Sequence, residues 1–190
     1  KRTWVIPNAV NQQFFDVVRA PTHHPHVICV AGVTDWKNPL FLAEAGDGLH
    51  EKFPDAEVHF IGACDPKHPY GRAFLEAIAR RPWCFHHAHC PPEELIKQMT
   101  KATCAVLPSR QENFGLALAE ALAAGIPAVG ARVGGIPDVV RDGKTGFLFD
   151  LESPADLADK LVAIHSDPGL AARFSREAKA DAQLRFSSQA

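Results

Sequence analysis

Residues 108–140 read PSRQENFGLALAEALAAGIPAVGARVGGIPDVV, and this stretch decides the fold. An apolar run ends at Val106-Leu107-Pro108, a polar loop follows, and a helix begins near Gly115. That helix carries small side chains (Ala117, Ala119, Ala121, Ala123 and Ala124), so it can lie close against a sheet. Gly125 and Pro127 stop it. A second apolar run, 128–130, begins at once. Strand, close-packed helix and strand in immediate succession form a β–α–β unit, and strands apolar on both faces belong to a covered parallel sheet.

The pattern repeats outward in both directions. Residues 27–31, 57–62, 83–86, 105–108, 128–130 and 146–149 read as strands. Helices are predicted over 39–51, 71–81, 92–101, 115–124, 134–141, 154–165 and 169–184. Pro91-Pro92-Glu93-Glu94 opens one of these with acidic first-turn residues, and Ser153-Pro154 caps another. Six β–α units in a row predict a doubly wound, mostly parallel α/β sandwich of the Rossmann type, forming one domain over residues 1–190. In such folds ligands sit beyond the carboxyl ends of the strands, at the switch point of strand order. The loops leaving Ala31, Gly62, His86, Pro108, Gly130 and Phe149 are therefore the ones to read for function.

The bulk properties exclude several classes. Apolar residues make up 46% and charged residues 22%, and the net charge of −2 gives no footprint for nucleic acid or an anionic membrane. The apolar runs fall far short of the ~20 residues of a transmembrane helix. The chain begins without Met, shows no basic-then-apolar leader and reads as trimmed. Its five cysteines are an odd count set mostly in apolar segments, which predicts free thiols in a reducing compartment, the cytoplasm being the expected location. Cys84, His86, His87, His89 and Cys90 cluster in sequence. They lack a CxxC pair or a second ligand pair at zinc spacing, so no metal site is expected there.

The loop after Pro108 carries the chemistry. A helix entered through Asn113-Phe114-Gly115 presents unpaired N–H groups and a positive dipole end, which suits a phosphate or diphosphate, and Gly115 permits close approach. Glu112 precedes the helix, and Glu120 lies about 7.5 Å further along its axis. Two carboxylates bracketing a diphosphate can accept hydrogen bonds from a sugar on one side and a ribose on the other. Pattern and spacing alone favour a plainer reading, two surface carboxylates on an ordinary helix.

The same stretch closely resembles the E-x7-E segment of retaining GT-B glycosyltransferases of the glycogen synthase and sucrose synthase kind. The likeness runs through Glu112-Asn113-Phe114-Gly115, Glu120-Ala121-Leu122-Ala123, Gly125-Ile126-Pro127, Val133-Gly134-Gly135-Ile136-Pro137 and Asp142-Gly143-Lys144-Thr145-Gly146. Val5-Ile6-Pro7-Asn8 looks like the entry to the second domain of these enzymes, and Val30 to Lys37 like its first β–α loop. The resemblance implies the C-terminal, donor-binding half of a GT-B fold, with the N-terminal acceptor domain absent from this chain. It implies that Glu112 holds hydroxyls of the donor sugar and Glu120 the ribose. The amides of Phe114, Gly115 and Leu116 would meet the distal phosphate, and Lys37 would neutralise the diphosphate as it leaves.

One departure stands out. Relatives read Gly-Arg-Leu where this chain has Ala31-Gly32-Val33, so Gly32 takes the place of a second phosphate-binding cation. Arg110 is a candidate substitute. Gly134-Gly135 reads as a backbone requirement. His59 reads as a packing residue, and so does His86, although His86 ends a strand facing the site.

The expected function is transfer of a hexosyl group from a UDP- or GDP-linked sugar to an acceptor hydroxyl of a sugar, lipid or small molecule. The resemblance implies retention, no bound metal or other cofactor, and no turnover by this chain alone. Lipid-acceptor relatives attach peripherally to the inner face of the membrane. Two rivals are an isomerase like the non-hydrolysing UDP-GlcNAc 2-epimerases and a degenerate, non-catalytic binding domain, for which Gly32 speaks. The lack of GxGxxG after the first strand argues against an oxidoreductase.

Overall fold

A computed structural model describes residues 8–187. Val5-Ile6-Pro7 of the proposed domain entry lies outside the described residues. Six strands, β1 (His26–Val30), β2 (Glu57–Ile61), β3 (Cys84–His87), β4 (Cys104–Leu107), β5 (Ala128–Ala131) and β6 (Gly146–Phe149), form one sheet in the order β3-β2-β1-β4-β5-β6. Every pairing is parallel, in registers such as His26 with Glu57 and Ala105 with Ala128. This is the doubly wound Rossmann-like sheet expected from the sequence. The chain winds outward from β1 in one direction and from β4 in the other, so the switch point lies between these two strands.

The central strands are buried because both faces are covered. Ile28, Val58, Phe60, Val106, Leu107 and Val129 are all buried. The helices are α1 (Gln12–Phe15), α2 (Pro39–Lys52), α3 (Pro69–Ala79), α4 (Pro92–Lys101), α5 (Leu116–Ala123), α6 (Ile136–Val139), α7 (Pro154–Ser166) and α8 (Pro168–Phe186). Helix α2 packs on α7, and α5 packs on α8. Proline opens α2, α3, α4, α7 and α8, where its missing N–H costs nothing. Ser153 Oγ accepts from the Ala155 N–H at 3.2 Å and Asp167 Oδ1 from Leu170 N–H at 3.0 Å.

Three elements depart from the sequence reading. The predicted helix at 134–141 shrinks to the single turn of α6, because Gly134 takes a left-handed φ of 50° and Val140 is already extended. Helix α3 starts two residues early because the His68 ring accepts the Tyr70 N–H at 3.2 Å. The short α1 carries no periodic signal and was not foreseen.

All five cysteines are free thiols, Cys29 and Cys104 being buried, and burial pushes Cys29 and Cys84 up to about 12. The histidines and cysteines of 84–90 do not gather into a metal-ligand group among the described residues. His59 is indeed packed, stacked between neighbouring rings, and burial with His26 beside it lowers it to about 4. No helix among the described residues is long and apolar enough to cross a membrane.

Candidate functional site

The loops that leave β1 and β4 face each other across the switch point. In the first, the Lys37 N–H donates to Thr34 through its carbonyl at 3.2 Å and its hydroxyl at 3.3 Å. Asn38, buried, takes a left-handed conformation (φ 52°, ψ 42°) and turns the chain into α2. Asparagine is one of the few residues beside glycine that tolerates this conformation. The turn directs Lys37 Nζ to Glu112 Oε2, 2.5 Å away on the opposite loop. The second oxygen of Glu112 accepts the Asn113 N–H at 3.1 Å.

The two loops are also joined through their backbones. The Arg110 N–H donates to the Trp36 carbonyl at 2.8 Å, while its guanidinium lies 3.6 Å from Asp35 and donates to Asn38 Oδ1 at 3.3 Å. Arg110 therefore stands in the same crevice as Lys37. Gly32 lies on the Lys37 loop, and a Cβ there would meet only the Ala63 carbonyl oxygen, at 3.8 Å. The backbone leaves room for a side chain, so the missing arginine is a loss of charge and not a steric requirement.

Gly134 and Gly135 hold the Glu112 loop from beneath. A Cβ on Gly134 would stand 1.9 Å from the Glu112 carbonyl oxygen, and one on Gly135 2.2 Å from that of Asn113. The Gly135 N–H donates to the Glu112 carbonyl at 3.0 Å. Only two glycines allow the loops this close, and the backbone reading of the pair is the correct one.

Beyond Glu112 the chain passes Phe114, whose ring packs edge-on to Phe186 at 5.7 Å, and enters α5 at Gly115 (φ 91°). The first intrahelical bonds run from Leu118 and Ala119 to the Gly115 carbonyl. This leaves the N–H groups of Leu116 and Ala117 directed out of the helix end, where they suit an anion. Glu120, further along α5, is half-buried, and among the described residues no cation pairs with it. Burial alone pushes its carboxyl up to about 7.

Lys37, Arg110, Glu112, Asn113, Gly115 and the start of α5 thus converge on one crevice. His86 does not join them. It sits on the edge strand β3, two strands from the switch point, with Nε2 on the Gly62 carbonyl at 2.9 Å and its ring edge-on to Phe74. One residue escaped the sequence reading. Asn38 organises both loops, and its only signal was an asparagine before a helix-opening proline. Ser109, fully buried at the end of β4, has a hydroxyl without a partner. A cavity of about 640 Å³, lined by Arg19, Pro21, Phe53, Pro127, Ile164 and His165 among others, lies at the amino ends of the strands. It is mostly apolar and lies away from the groups above.

Residues 10–181 match the model of the family Glycosyl transferases group 1. The chain belongs to that family. Among its relatives is the D-inositol 3-phosphate glycosyltransferase of Arthrobacter sp. (strain FB24), 32% identical over 161 residues; the match covers 83% of this chain and 38% of that protein. The chain thus spans under half the length of such group 1 relatives. A glycosyltransferase from Rickettsia africae ESF-5 superposes with a TM-score of 0.83 at 21% identity, covering 98% of this chain and 53% of the other. Anabaena Alr3699/HepE, solved in complex with UDP and glucose, gives 0.76 at 22% identity over 86% and 45%. At such identities the two structures speak for the fold, the C-terminal GT-B half.

Two outcomes follow for the crevice. Gly134→Ala forces the Glu112 loop away and lowers stability by about 2–4 kcal/mol, measured by urea denaturation. The raised carboxyl of Glu120 contributes stability that is complete below pH 4.5, its ordinary value, and lost as pH rises through about 7. Glu120→Gln removes that loss, so its stability relative to the unsubstituted chain improves by about 1–2 kcal/mol between pH 4 and 8, after allowing for solvent screening.

Proposed function

We propose that this chain is the donor-binding domain of a retaining glycosyltransferase, which moves a hexosyl group from a nucleoside diphosphate sugar to an acceptor hydroxyl. The observation that carries the reading is the meeting of Lys37 and Glu112 at 2.5 Å across the switch point, beside the open end of α5. The solved complex of Alr3699/HepE with UDP and glucose supports a uridine nucleotide as donor carrier.

The roles follow from charge and position. The diphosphate docks on the amides that begin α5, and Lys37 transfers its contact from Glu112 to the phosphate oxygens, where negative charge grows as the glycosidic bond breaks. Glu112, released, accepts hydrogen bonds from hydroxyls of the donor sugar. Glu120 accepts from the ribose, which requires its ionised form. Arg110 supplies the second positive charge that Gly32 lacks. Cationic side chains and the helix dipole do here what a divalent ion does in other transferases.

The domain spans residues 1–190, and the acceptor half belongs to the further length seen in relatives. Residues 1–190 alone are expected to bind donor without turnover. A second reading, a binding domain that has given up catalysis, is favoured by Gly32 and is separated from the first by restoring the arginine.

Calorimetric titration with UDP, GDP and ADP tests the proposal. One nucleotide binds, and Lys37→Ala and Glu120→Ala each weaken it by roughly 10–100-fold, the loss of a charge-assisted hydrogen bond. Gly32→Arg tightens binding. At pH 6 binding releases a proton, seen as a heat that varies with the buffer's ionisation enthalpy and vanishes in Glu120→Gln. Binding indifferent to both alanine substitutions, or no binding at millimolar nucleotide even with Gly32→Arg, overturns the assignment.

A further inference from the structure

At the opposite end of the sheet from the crevice, the parallel register brings together a second polar group. His26 opens β1 and pairs with Glu57, which opens β2. Because side chains alternate along a strand, Glu57 and His59 project from the same face. His24 reaches the group from the segment before β1. The Glu57 Oε2 atom lies 3.5 Å from His24 Nε2, 3.2 Å from His26 Nδ1 and 3.1 Å from His59 Nε2.

The hydrogen bonds around this carboxylate can be followed to fixed ends. Gln98 Nε2, from α4, donates to Glu94 Oε1 at 3.3 Å, which orients the amide and turns Gln98 Oε1 to His26 Nε2 at 3.0 Å. His26 must therefore carry its proton on Nε2 and present a bare lone pair at Nδ1. On the other side, His87 Nε2 lies 3.0 Å from His59 Nδ1, and His59 Nε2 lies 3.1 Å from Glu57. A proton on each Nε2 makes His87 donate to His59 and His59 donate to Glu57.

Three candidate ligand atoms then converge: the His26 Nδ1 lone pair, the Glu57 carboxylate and His24 Nε2. The last is buried and has no hydrogen-bond partner. A metal ion at the centre of this group would be held by all three. The three ligand atoms lie within 4.8 Å of one another. Ligands about 2.0–2.1 Å from a tetrahedral zinc ion stand about 3.3–3.4 Å apart, close to the 3.5 and 3.2 Å seen here.

We propose that His24 Nε2, His26 Nδ1 and the Glu57 carboxylate form a binding site for a divalent transition-metal ion of the zinc type. The remaining coordination position is open to solvent on the half-exposed side of Glu57 and His24. Gln98 on His26 and His59 on Glu57 are the outer partners that fix ligand orientation, as metal sites require. The ion ties the segment before β1 to the sheet and takes no part at the crevice. It does not use the residues of the 84–90 cluster.

The test uses the 190-residue chain stripped with chelator, then titrated with zinc chloride and, separately, cobalt chloride. One ion binds per chain and raises the melting temperature. The cobalt complex shows visible ligand-field bands without a sulfur-to-cobalt charge-transfer band. His24→Ala and Glu57→Gln, each verified as folded by circular dichroism, weaken zinc binding by more than about tenfold, while Cys84→Ser with Cys90→Ser leaves it unchanged. Nucleotide binding at the crevice is unaffected by the two ligand substitutions. The proposal is overturned by no stoichiometric zinc binding, by binding that survives His24→Ala and Glu57→Gln, or by a thiolate band that disappears with the cysteines.

Discussion

The crevice depends on a backbone contact. Gly134 and Gly135 lie so close beneath Glu112 and Asn113 that any Cβ would collide with a carbonyl oxygen. That contact seats the loop leaving β4 on the loop leaving β5, and the Arg110-to-Trp36 hydrogen bond joins it to the loop leaving β1. Three loops from the strands around the switch point are thereby fixed as one surface. The ion pair of Lys37 and Glu112 is a consequence of this seating. It holds both side chains at the mouth of α5.

The two ends of the sheet are built for opposite charges. At the carboxyl ends, Lys37, Arg110 and the α5 terminus collect positive potential, and Glu120 is half-buried in a setting that favours its protonated form. At the amino ends, His24, His26 and the Glu57 carboxylate converge on the proposed cation site. The separation allows one end to be altered without disturbing the other. It also explains why the Asp142-Gly143-Lys144-Thr145-Gly146 segment, part of the family likeness, is structural. Thr145 Oγ1 accepts the Arg141 N–H and Asp142 Oδ1 accepts the Leu148 N–H, shaping the turn that feeds β6.

The inner strands were legible because strands covered on both faces are largely apolar, whereas the edge strand β3 is only partly buried. The open amino end of α5 was legible because Asn113-Phe114-Gly115 is a local arrangement. The shortening of α6 was only half legible: Gly134-Gly135 was seen as a backbone requirement, but its left-handed turn also removes residues from the helix. Lys37 and Glu112 stand 75 residues apart, and only the strand order brings them together. The His24, His26, Glu57 and His59 group was invisible for the same reason. Its members are spread over two β–α units and meet through parallel register, whereas the histidines and cysteines of 84–90 are dense in sequence but form no such group.

The nucleotide diphosphate is proposed to bind in the switch-point crevice. Backbone amide NMR spectra of the isotope-labelled chain, recorded during titration with UDP and GDP, locate the binding site. The largest shifts are expected on residues 31–38 and 109–117, centred on the amides of Leu116 and Ala117. Shifts concentrated instead around Phe53, Pro127 and His165, in the apolar cavity at the amino ends of the strands, would contradict that proposal.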